Sequence, residues 1–159
     1  MKKRSNHSSQ HFDEMQERLR ADGYKRAYFS LIATIGGICI YNTVSDQTIP
    51  NFILSSILIA SLMISLMVFG LYCIKNDSFF FIGQNWKAYF GLCLIVGVVH
   101  IVNAVSVIAP LAKTTEHSGV LFEGYISRII SSGFMAITFF TLAIAIAVKM
   151  FWNSNSKED

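Results

Sequence analysis

Four apolar stretches, residues 27–45, 52–74, 88–110 and 126–148, divide this chain, and charge is almost absent from each. A helix rising about 1.5 Å per residue needs about 20 mostly apolar residues to cross about 30 Å of hydrocarbon. Each stretch has that length. Backbone amides in lipid must be satisfied within their own segment, which selects helices; a β-barrel would instead show alternating segments of about ten residues. The expected fold is all-α: an integral-membrane four-helix bundle preceded by a short amphipathic juxtamembrane helix. Composition agrees, with 14% charged residues against about 25% in soluble domains. The spans occupy over half of the 159 residues, leaving three parts: a basic segment over 1–26, a membrane domain over 27–148 and a tail over 149–159.

The cations predict an orientation. Seven of the 13 Lys and Arg precede residue 27 (Lys2, Lys3, Arg4, Arg18, Arg20, Lys25 and Arg26). Lys75 and Lys87 flank the second connector, and Lys149 and Lys157 follow the last span. Only Lys113 and the border residue Arg128 fall on the other side. Short loops rich in Lys and Arg stay cytoplasmic, so both termini are expected inside a plasma membrane. The first span is too long for a signal-peptide core and lacks a small-residue cleavage site. Asn6 and Asn76 match the glycan acceptor pattern, but their predicted cytoplasmic position makes the matches coincidental.

Residues 12–26 read as an extramembrane helix. Ser8 and Ser9 are candidate caps, and Asp13 and Glu14 suit its N-terminal dipole. Phe12, Met15 and Leu19 form a narrow apolar stripe, and Gly23 is a candidate break before the first span. The basic residues are expected to meet anionic lipid.

Enzyme and transport chemistries lack their usual residues. Cys39, Cys73 and Cys93 stand one per span without a Cys-x-x-Cys pair, and read as buried packing residues; Cys73 also lies near enough to the interface for palmitoylation. None of the ten acidic residues falls inside a span, so the usual intramembrane carboxylate of a proton-coupled exporter is missing. The chain is therefore expected to be no enzyme, with no cofactor and no metal.

One ionisable group lies deep. His100 is near the middle of the third span, and Asn103 follows on nearly the same face. Ser65 and Thr138 should reach a similar depth. His100, Asn103, Ser65 and Thr138 thus form the candidate intramembrane polar site, either as hydrogen-bonding glue between helices or as the lining of a path. Small residues mark candidate packing seams: Ala33 and Gly37; Ser61 and Ser65; Cys93, Gly97 and Ala104; and Ser132, Ala136, Ala143 and Ala147. In the second connector, Phe79, Phe80, Phe81 and Ile82 are expected to dip into the interface beside Trp86 and Trp152. In the third, Arg128 is expected to snorkel or to pair with Glu116 or Glu123, near His117.

Asp13-Glu14-Met15-Gln16, followed by a basic stretch and Ala27-Tyr28, resembles the start of uncharacterised small multi-span membrane proteins of Gram-positive bacteria. The resemblance implies a bacterial plasma membrane and no particular activity. The expected role is a non-enzymatic accessory or regulatory subunit. Its expected partners are the bilayer, anionic lipid at the N-terminus, and further copies or a larger membrane complex, with no nucleic acid. The alternative is a small transporter or channel built on His100 and Asn103.

Overall fold

The computed structural model describes residues 13–45, 49–80, 85–113 and 119–155. Expectations for Lys2, Lys3, Arg4, Ser8, Ser9, Phe12, Phe81, Ile82, Glu116, His117 and Lys157 lie outside these residues. Four helices follow one another: α1 (Glu14–Val44), α2 (Asn51–Lys75), α3 (Trp86–Lys113) and α4 (Gly119–Asn155). All four are long and apolar enough to cross a bilayer, as a multi-pass membrane protein requires. At 31 and 37 residues, α1 and α4 run about 46 and 55 Å, well beyond about 30 Å of hydrocarbon.

The bundle is laid out as a row. Among the described residues, α1 packs on α2, α2 on α4, and α4 on α3, with no other helix pair in contact. Neighbours across the seams give the directions. Ala27 meets Ser65 and Gly23 meets Cys73, so α1 and α2 are antiparallel. Ser56 meets Ser127 and Lys75 meets Lys149, so α2 and α4 run parallel. Asn103 meets Ser132 and Gly97 meets Phe140, so α3 opposes α4. The start of α1 and the end of α4 therefore lie at one end of the row, with Lys75, Lys149, Arg20 and Arg26. We call this the basic end.

Among the described residues no separate N-terminal helix forms: α1 is continuous from Glu14, and Asp13 is its N-cap, with the Asp13 N–H donating to Gln16 Oε1 at 3.4 Å. Met15 is exposed and Leu19 half-buried, so Met15 lies off the face that packs on α2. That face is Gln16, Gly23 and Ala27. Gly23 does not break the helix. It lets α1 approach bulky residues of α2, because a Cβ there would meet Cys73 Sγ at 3.0 Å and the Phe69 and Tyr72 rings at 3.2 Å. Ala33 and Gly37 are exposed, and a Cβ on Gly37 would meet nothing within 4 Å. Away from the basic end the α1–α2 seam opens into an apolar groove of about 690 Å³, lined by Gly37, Tyr41, Ile57 and Phe134 among others.

The core sits near the basic end, where Ile74, Phe80, Leu142 and Ile146 are buried together. Gly70 is needed there, since a Cβ at that position would overlap Leu142 Cδ2. Of the rings expected at the interface in the second connector, Phe80 does not project outward. Phe80 turns back into the core, with its ring centroid 4.4 Å from Trp86 and 4.9 Å from Tyr89. Phe79 contacts Phe80 at 4.7 Å and Phe69 at 6.4 Å, and Phe69 stacks on Tyr24 at 4.4 Å. A chain of rings thus links α1 to α3 across the basic end. Burying these rings keeps their apolar area from water where the chain must leave the helices.

The cysteines differ from expectation in one case. Cys73 is fully buried, which closes it to acylation, and Cys93 is half-buried, but Cys39 is exposed on α1. α1 has a neighbour on one side only, so most of its surface faces outward. Arg128 is exposed and makes no ion pair with Glu123 among the described residues.

Candidate functional site in the α3–α4 seam

The polar side chains inside the spans distribute over three seams. Ser65 Oγ donates to the Ala27 carbonyl at 2.8 Å, joining α2 to α1. Between α2 and α4, Ser56 Oγ donates to the Ser127 carbonyl at 2.9 Å and Ser127 Oγ to the Phe52 carbonyl at 2.9 Å. In the same seam, Thr138 Oγ1 bonds the Phe134 carbonyl of its own helix at 2.8 Å and reaches the Met63 carbonyl at 3.5 Å. Between α3 and α4, Asn103 Nδ2 donates to Ser132 Oγ at 2.8 Å. Hydroxyl and amide bonds of this kind join membrane helices where hydrophobicity does not distinguish a neighbouring helix from lipid, each contributing roughly 0.6 to 2 kcal/mol.

The four sequence-derived residues are therefore not one cluster. Ser65 and Thr138 hold other seams, and neither bonds His100. His100 and Asn103 do share the α3–α4 seam. The His100 ring lies parallel to Phe139, with centroids 6.4 Å apart, and Phe140 fills the space over Gly97, where a Cβ would come within 3.0 Å of the ring. His100 Nδ1 is buried and has no hydrogen-bond partner among the described residues. Ser132, 3% exposed, is the partner that sequence reasoning placed in a packing seam and not at the site. It lies two turns before Phe139 on α4, as Asn103 lies beyond His100 on the antiparallel α3, and no signal in the sequence pairs these two helices.

Chemically the seam offers one satisfied amide–hydroxyl pair and one imidazole nitrogen without a partner, packed among aromatic rings. Among the described residues no group of three or more His, Cys, Asp and Glu is arranged to hold a metal ion. Two apolar grooves, one between α1 and α2 and one between α2 and α4, are lined by neither His100 nor Asn103.

A second polar cluster, at the basic end, was not anticipated. The last turn of α2 leaves four carbonyls without helical partners, and all four are bonded. Asn76 Nδ2 donates to the Tyr72 carbonyl at 2.8 Å. The Ser78 N–H donates to the Cys73 carbonyl at 2.9 Å and the Asp77 N–H to Ile74 at 3.4 Å. Lys149 Nζ, from α4, reaches the Lys75 carbonyl at 3.4 Å. The two middle bonds form a Schellman motif whose left-handed residue is Asp77, φ 54°, where glycine is usual. Asp77 also serves tertiary contacts: its Oδ2 lies 2.8 Å from Lys149 Nζ, and its carbonyl accepts from Gln16 Nε2 at 2.9 Å. One residue thereby ties α1, α2 and α4 together. Arg26 adds a contact of its guanidinium over the Tyr72 ring, 4.7 Å from the centroid.

No family model matches the chain, and no curated protein or solved structure shows significant similarity to it.

Proposed function

We propose that this protein is a small, non-enzymatic membrane subunit that packs with further copies of itself or within a larger membrane complex. We place it in a bacterial plasma membrane, with both termini cytoplasmic. The observation that carries the reading is the row of helices. The four described helices touch in the order α1, α2, α4, α3, a row and not a closed ring. Among the described residues the terminal helices α1 and α3 each keep one neighbour. Support also comes from the polar groups, most of which are committed to seams, and from the apolar rings packed around His100. The orientation is supported by the basic end, which carries the start of α1 and the end of α4, together with the positive-inside tendency. The Asp13–Gln16 resemblance supports the bacterial setting.

A transport reading retains one favourable observation, the buried Nδ1 of His100 without a partner. The two readings separate on purified protein. The subunit reading expects particles in mild detergent larger than one 17.8 kDa chain plus its micelle, and no His100-dependent flux in proteoliposomes. A single-chain particle whose proteoliposomes conduct, and stop on His100→Leu, would overturn it.

A further inference from the structure

We propose that the cleft between the ends of α2 and α4 is a binding site for one anionic phospholipid of the leaflet at the basic end. The cleft has a volume of about 660 Å³; its floor is Leu71, Ile74, Ala145 and Val148, and its rim is Lys75, Lys149 and Trp152. An apolar floor parallel to two helices suits an acyl chain, and the rim cations, Lys75 in the last turn of α2 and Lys149 of α4, sit where a headgroup phosphate would lie. The lysines are not equivalent. Lys149 has three donors, of which Asp77 Oδ2 and the Lys75 carbonyl occupy two. Lys75 is exposed, and no ion pair holds its ammonium among the described residues. Lys75, Lys149 and Asp77 together carry one net positive charge, which a phosphodiester monoanion neutralises. A zwitterionic lipid brings its own cation into competition. The groove beside α1 makes the contrast: its volume is similar, about 690 Å³, but no charged residue lines it, so it has no means of selecting a headgroup.

The test is native mass spectrometry of the full chain released from nanodiscs of equal parts phosphatidylcholine and phosphatidylglycerol. One phosphatidylglycerol should be retained per chain in preference to phosphatidylcholine. Lys75→Gln should lower that preference about fivefold, the effect of losing one surface cation near anionic lipid. Val148→Trp, at an exposed wall position, should remove the adduct, whereas Ile57→Trp in the other groove should leave it. Matching melting temperatures establish that the variants fold. Equal retention of the two lipids, or a preference unchanged by both Lys75→Gln and Val148→Trp, overturns the proposal. So does a dimer that buries Val148 and carries no lipid, since a second copy would then occupy the cleft.

Discussion

Replacing Asp77 separates backbone strain from charge at the basic end. Its φ of 54° is left-handed, where an ordinary L-residue costs roughly 1 to 2 kcal/mol and Asn or Asp is better tolerated. Its carboxylate pairs with Lys149 at 2.8 Å, but the Asp77 side chain is 58% exposed, so the pair contributes only about 0.2 to 1 kcal/mol. The bond from Gln16 uses the Asp77 carbonyl and survives any substitution. Asp77→Asn should therefore cost about 0.5 kcal/mol, the pair alone. Asp77→Ala should cost about 1.5 to 2.5 kcal/mol, since the strain now falls on a side chain without a local hydrogen bond. Asp77→Gly should lie within about 0.5 kcal/mol of the natural protein, because relief of strain offsets the lost pair. Unfolding in mixed micelles titrated with SDS measures all three. Equal costs for all three variants would refute the backbone argument and assign the loss to the ion pair.

Other positions give further tests on the same unfolding assay. Gly70→Ala should destabilise by about 1 to 2 kcal/mol, overpacking against Leu142 outweighing the better helix propensity, and should be harmless or helpful in a Leu142→Ala background; an equal loss in both backgrounds would show that the contact is not the cause. A double-mutant cycle with Asn103→Leu and Ser132→Ala should return a coupling of roughly 0.6 to 1.7 kcal/mol, and a coupling near zero would remove the interhelical bond. His100→Leu should change stability by less than about 0.5 kcal/mol or raise it, because a buried nitrogen without a partner is lost; a loss above about 1 kcal/mol would reveal a partner for that ring.

The four long apolar helices were legible because length and hydropathy suffice in lipid, where the solvent imposes the helix. The relation between helices was much less so. Gly23 reads as a helix breaker in isolation, and only the bulk of Phe69, Tyr72 and Cys73 opposite makes it a close-packing point. Ala33 and Gly37 have the spacing of a seam but are exposed, because the α1–α2 seam opens there into a groove that Gly37 lines. Phe80 looks like an interfacial residue until the turn after α2 redirects it, and that turn rests on Asp77, which carries no glycine signature. At the candidate site, the i, i+3 spacing puts His100 and Asn103 on one helix face, and both meet α4. The hydroxyl partner depended on which helix lies beside α3, and sequence alone does not order helices in a row.

The most direct test of the central claim asks what touches the outer faces of the terminal helices in the membrane. Val102 of α3 and Ile40 of α1 are 61% and 66% exposed and point away from their single neighbours. With benzoylphenylalanine at either position, irradiation of intact membranes should give an adduct heavier by a protein, either a second copy or a larger subunit. Adducts with lipid alone from both positions, at the mass of a single chain, would contradict the account.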